Sequence, residues 1–142
     1  MTELKQTLLW KISDLGTSIK EIQTILLVGS YARNSQKEDS DIDLMIITKD
    51  KNTLTKRTEW LNRFGKIRSK EKEFWGPVTS LRIFYDDYEI EFGIAPEQWL
   101  ALPLDEGTEQ VLSDGYVVLY DGTGITDNIK ALIKEKPFPA VQ

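Results

Sequence analysis

Hydrophobic and polar positions along the chain follow two rhythms. Between Thr2 and Leu15, the positions Leu4, Leu8, Ile12 and Leu15 recur at helical spacing, and Leu9 and Trp10 widen the stripe. This predicts an amphipathic helix with Thr2 as N-cap and Gly16 as its C-terminal stop. A polar link carrying Ile19 and Ile22 feeds Ile25-Leu26-Leu27-Val28, a short branched run that predicts a buried strand over Thr24–Val28. Ser30–Asn34 opens a short helix, and a polar loop runs to Ser40. Leu44-Met45-Ile46-Ile47 then predicts a second strand over Ile42–Thr48. Asn52 or Thr53 can cap a helix over Leu54–Phe64 that buries Leu54, Leu61 and Phe64, packs Trp60 and stops at Gly65.

The second half alternates. Lys66–Glu73 is charge-rich and fits either an edge strand or a loop. Beyond Phe74-Trp75-Gly76-Pro77, the runs Leu81–Tyr85 and Tyr88–Phe92 flank Asp86-Asp87 and predict a β-hairpin. A two-residue turn sets Tyr85 against Tyr88 and Arg82 opposite Glu91, with Glu89 and Glu91 on one face. Pro96 suits the first turn of a short helix over Glu97–Ala101, and Thr108 can cap another that Gly115 ends. Tyr116–Tyr120 predicts a strand. Ile125, Ile129, Leu132 and Ile133 line a last helix before Pro137. With no internal repeats or linkers, the pattern predicts a single α+β domain over residues 1–142, built on a mixed sheet flanked by helices.

Composition narrows the chemistry. The 142 residues are 40% hydrophobic and 29% charged, as expected of a soluble globular protein. No apolar segment is long enough to span a bilayer and the N-terminus lacks a signal-peptide pattern, which places the chain in the cytoplasm with no membrane partner. There is no cysteine and no histidine. Thiolate nucleophiles, zinc–sulfur sites, serine–histidine triads and imidazole acid–base chemistry are therefore excluded. Carboxylates without soft ligands favour a hard ion such as Mg²⁺. With 18 Lys and Arg against 23 Asp and Glu, the net charge of −5 argues against a nucleic-acid partner. Small or cationic substrates, or a protein partner, fit better.

The densest chemistry lies between the two apolar strands. The first strand ends on Gly29-Ser30, where backbone N–H groups can approach a phosphate closely. The second is preceded by Ser40 and begins with Asp41 and Asp43, two residues apart, so both point to one face. A phosphate-ready turn beside paired carboxylates suits a metal-bound nucleotide.

At Gly29-Ser30 and Asp41-x-Asp43 the sequence resembles the nucleotidyltransferase superfamily that includes DNA polymerase β, and Ile90-Glu91-Phe92 resembles the strand carrying that family's third carboxylate. Within it, the chain is similar to small bacterial domains akin to antibiotic-adenylylating and minimal toxin–antitoxin nucleotidyltransferases. The likeness spans roughly Ile25–Ile94. It implies a nucleotidyltransferase fold, ATP or another nucleoside triphosphate as substrate, and two Mg²⁺ ions held by Asp41, Asp43 and Glu91, with Glu91 as a metal ligand or as the acceptor's base. It also implies Gly29, Ser30, Arg33 and Ser40 as nucleotide-binding residues, with Arg33 offsetting charge on the leaving pyrophosphate.

Structural alternatives stand beside these roles. Asp41 fits a strand start, Ser40 a turn, and Arg33 and Lys37 solvated surface charges. Glu91 fits a cross-strand ion pair with Arg82, which is compatible with metal binding if Arg82 orients the carboxylate. The third carboxylate is Glu rather than the commoner Asp, with Glu89 beside it as a rival. The chain lacks the long helical domain that larger members use to hold their acceptor, and a homodimer or a helical protein partner could supply that wall. The leading expectation is transfer of AMP to a hydroxyl of a small molecule, with Glu89, Asp105 and Glu106 suiting a cationic acceptor such as an aminoglycoside. The alternatives are adenylylation of a protein Tyr, Ser or Thr, and a nucleotide-binding module without turnover. Surplus buried negative charge without a metal speaks against the last.

Overall fold

A computed structural model describes residues 1–141. Thr2 caps the first helix, α1 (Glu3–Ser13), by accepting from the Lys5 N–H at 3.2 Å. Leu8, Leu9 and Ile12 are buried as the periodicity requires, whereas Leu4 is 59% exposed. Gly16 does not end α1. It lies inside a further turn, α2 (Leu15–Ser18), and a Cβ there would stand 2.2 Å from the Tyr120 ring. Glycine is needed at this place for close packing rather than for a left-handed cap.

Two apolar runs form β1 (Ile22–Val28) and β2 (Ile42–Thr48), joined through α3 (Gly29–Arg33) and a polar loop. The predicted helix over Leu54–Phe64 is broken. Asp50, rather than Asn52 or Thr53, caps α4 (Lys51–Lys56) by accepting from the Thr53 N–H, and a separate 3-10 helix spans Glu59–Phe64. Both segments still bury Leu54, Trp60, Leu61 and Phe64.

The charge-rich segment is an edge strand, β3 (Ile67–Trp75), paired with β4 (Val78–Tyr85). A tight turn through Asp86-Asp87 leads to β5 (Glu89–Pro96) in the expected register, with Arg82 opposite Glu91 and the Tyr85 N–H donating to the Tyr88 carbonyl at 2.8 Å. A 3-10 helix at Glu97–Leu100 follows. Helix α5 (Glu106–Ser113) is capped by Asp105, which accepts from the Gly107 N–H, while Thr108 is buried within it. The chain continues through β6 (Val117–Asp121) and α6 (Thr126–Leu132); Ile129 is buried and Leu132 faces outward.

Among the described residues, six strands form one mixed sheet in the order β3-β4-β5-β2-β1-β6, in which only β2 and β5 run parallel. Alternation divides its faces. Ile42, Leu44, Ile46, Ile90, Phe92 and Ile94 enter the larger core beside Leu9, Ile12 and Leu61. Trp60 meets Phe92 edge-on at 5.0 Å between ring centroids. On the opposite face, Leu26, Met45, Ile47 and Ala95 pack with Trp99, Leu112 and Ile129. This second cover leaves the starts of β2 and β5 open, and the acidic residues stand there. No helix among the described residues is long and apolar enough to cross a membrane.

The free edge carries its own protection. Lys70 and Lys72 project from one face of β3, Glu71 and Glu73 from the other, and no residue of the strand is buried. Pairing two copies of β3 middle to middle sets like charges opposite each other. The chain is expected not to associate through this edge, and replacing these four residues with Thr should produce self-association in sedimentation velocity. Unchanged sedimentation of that variant would contradict the assignment.

Candidate active site

The site begins where β1 ends. The backbone turns at Gly29 with φ of +72°, and a Cβ there would lie 2.2 Å from Asp43 Oδ2. Both the turn and the close approach of backbone to carboxylate require glycine. Parallel pairing of β2 with β5 sets Asp43 beside Glu91 on the same face, and Asp41 precedes Asp43 by one alternation. One carboxylate oxygen from each of Asp41, Asp43 and Glu91 lies within 4.8 Å of the others. The three acidic residues that the sequence singled out therefore converge.

Their mutual repulsion registers on Asp43. Burial, followed by the charge of Asp41 and a hydrogen bond with it and the charge of Glu91, pushes its carboxyl from the usual 3.8 up to about 8, with Arg82 pulling the other way. Glu89 is also raised, by burial and then by Asp41. It borders the cluster beside Asp41 without joining the group of three. An all-oxygen donor set with more negative charge than its surroundings balance fits a hard divalent cation such as Mg²⁺.

Glu91 is clamped on both oxygens. Ser80 Oγ donates to Oε1 at 2.8 Å and Arg82 Nη2 pairs with Oε2 at 3.2 Å. The ion pair with Arg82 and membership of the acidic cluster thus coexist. Sequence reasoning gave Ser80 no role. The signal was in the hairpin register, which sets Ser80 opposite Gly93, where a missing side chain lets the hydroxyl reach diagonally to Glu91.

The remaining candidates separate. Gly29 and Arg33 line a cleft of about 720 Å³ that passes Asp43 and Glu91 and continues to Trp75, Val78 and Trp99. Ser30 opens α3 beside Gly29, and the first-turn N–H groups of a helix have no partner within it. Ser40 turns to its own loop, its hydroxyl accepting from the Lys37 N–H at 2.8 Å. Asp105 lines the cleft, whereas Glu106 borders a separate shallow depression.

A mixed sheet with a glycine turn against converging carboxylates defines the nucleotidyltransferase class, and the chain belongs to the family described as polymerase beta, nucleotidyltransferase. That family's model matches residues 11–74, which include Gly29, Ser30, Asp41 and Asp43 but not Glu91. A protein of Methanocaldococcus jannaschii, provisionally described as a protein adenylyltransferase, is 38% identical over 81 residues, 54% of this chain and 82% of that one. Among solved structures, an aminoglycoside 6-adenyltransferase from Bacillus subtilis superposes with a TM-score of 0.52 at 17% identity. The match covers 70% of this chain but 36% of the Bacillus enzyme, and it shows a shared fold.

Two outcomes follow from this geometry. A carboxyl raised from 3.8 to about 8 on folding contributes stability at low pH that is lost as pH climbs through that window. In EDTA, Asp43→Asn should therefore raise the melting temperature at pH 8 by the equivalent of about 1–3 kcal/mol. The gain should shrink toward pH 5, and a pH-independent difference would refute the origin given. Separately, Ser80→Ala or Arg82→Gln should weaken Mn²⁺ binding, measured by electron paramagnetic resonance, about ten-fold with the fold intact.

Proposed function

We propose that the protein transfers AMP from ATP to a hydroxyl acceptor. The observation that carries this reading is the meeting of Asp41, Asp43 and Glu91 on one sheet face against the Gly29 turn. Asp41, Asp43 and Glu91 would hold Mg²⁺, which when bound offsets phosphate charge and lowers the pKa of the acceptor hydroxyl. The backbone N–H groups of Gly29 and Ser30 receive the triphosphate, and Arg33 at the cleft wall balances charge on the departing pyrophosphate. The acceptor oxygen bonds to the α-phosphorus and the bond to the bridging oxygen breaks. The acceptor's proton passes to a carboxylate oxygen of the cluster. Because Ser80 and Arg82 fix both oxygens of Glu91, that residue is pre-set as a ligand and needs little reordering.

The acceptor we favour is a small molecule that enters the open cleft. A second reading, transfer to a hydroxyl of a protein, draws support from the relative described as a protein adenylyltransferase. Labelled ATP, Mg²⁺ and a panel of alcohols, phenols, aminoglycosides and proteins distinguish them by where the label appears. Asp43→Asn should lower kcat/KM by about 10²-fold or more, a barrier increase of about 2.7 kcal/mol. EDTA should abolish transfer and added Mg²⁺ restore it. Wild-type protein that binds Mg²⁺–ATP yet labels nothing would identify a binding module instead.

A further inference from the structure

We propose that the acceptor hydroxyl is carried on a flat, apolar body, which docks on the Trp75 side of the cleft. This rests on the AMP-transfer reading and specifies its second substrate.

Displacement at phosphorus is in line: the acceptor attacks from the side opposite the leaving group. The leaving pyrophosphate belongs with Gly29 and Arg33, at the β1 side of the acids. The acceptor must then approach from the other side, across β5 toward β4 and β3. There Trp75, Pro77 and Val78 of the β3–β4 hairpin form the wall of the cleft, and Met45, Trp99 and Val111 complete its lining. Gly93 lies between Glu91 and this wall, and Met45 Sδ leans over it, only 2.6 Å from where a Cβ would be. The lining is consequently apolar beside the metal-binding oxygens.

Two carboxylates of the lining also serve the local fold. Asp105 lines the cleft, but its carboxylate accepts from the Gly107 N–H at 3.0 Å as the cap of α5. Asp114 likewise accepts from Gln110 Nε2 at 3.0 Å. Each keeps acceptor capacity to spare, so the apolar lining of the cleft carries the preference for an apolar body. Trp75 is 63% exposed at the rim and serves no core, so its large face is available to a planar guest.

The test uses the full chain with Mg²⁺ and a non-hydrolysable ATP analogue, then Mg²⁺–ATP, with 5-indanol as apolar probe and kanamycin as polycationic probe. 5-Indanol should quench tryptophan fluorescence and accept AMP in preference to kanamycin. Trp75→Ala should raise the KM for 5-indanol about 10–100-fold while leaving kcat and the Kd for the ATP analogue unchanged, and Trp75→Phe should restore most of the loss. Because the side chain is exposed, the variant should melt with the wild type. If Trp75→Ala instead weakens the ATP analogue, the wall receives the nucleobase and the proposal falls. It also falls if kanamycin is labelled and 5-indanol is not. Failure of the ATP analogue to bind at all would overturn the transfer reading itself, whereas a bound analogue with no 5-indanol quenching overturns the acceptor assignment alone.

Discussion

Like charges repel more strongly as water is withdrawn, and Asp41, Asp43 and Glu91 stand half-buried together on one sheet face. Two features of the backbone enforce their proximity. The parallel ladder between β2 and β5 aligns Asp43 with Glu91, and the Gly29 turn presses main chain against Asp43. Neither can relax without disturbing strands whose opposite faces form the main core. The repulsion is therefore built into the fold, and a divalent cation is the natural means of relieving it.

The sheet is divided in purpose by simple alternation. Every second residue of β2 and β5 secures the larger core, while the residues between them pass from acid to apolar along each strand. Asp43 gives way to Met45 and Ile47, and Glu91 to Gly93 and Ala95. Chemistry and cover thus occupy successive rungs of the same ladder. Arg82 and Ser80 extend the arrangement sideways from the adjoining strand, so the orientation of Glu91 is set by hydrogen bonds rather than by packing.

Local signals were legible and non-local ones were not. Branched runs identified β2 to the residue, and the Asp86-Asp87 turn fixed the register of β4 against β5, because both depend on neighbours in sequence. Strand alternation paired Asp41 with Asp43, but Glu91 could be joined to them only through resemblance to a family, since the parallel pairing of β2 with β5 brings together residues far apart in the chain. Gly16 misled because a close contact with Tyr120 looks, in sequence, like a helix stop. The break between α4 and the next 3-10 helix was missed because its two pieces still bury the same apolar stripe. That Trp75 shares a cleft with Trp99 and Val111 was invisible in the sequence, because the three lie on elements far apart in the chain.

The β3–β4 hairpin is held from one side: β4 enters the core through Leu81, Ile83 and Tyr85, and β3 does not. Its outer strand buries no side chain, and its tip at Gly76 has open space around it. Apart from the alternating charges that guard the edge, sequence change along that strand removes no buried side chain, whereas β2 and β5, which carry Asp43 and Glu91, are buried along most of their length. On the transfer reading proposed above, the β3 rim of the cleft can vary in what it meets while the acids stay in place, so one scaffold could receive new molecules without rebuilding its chemistry.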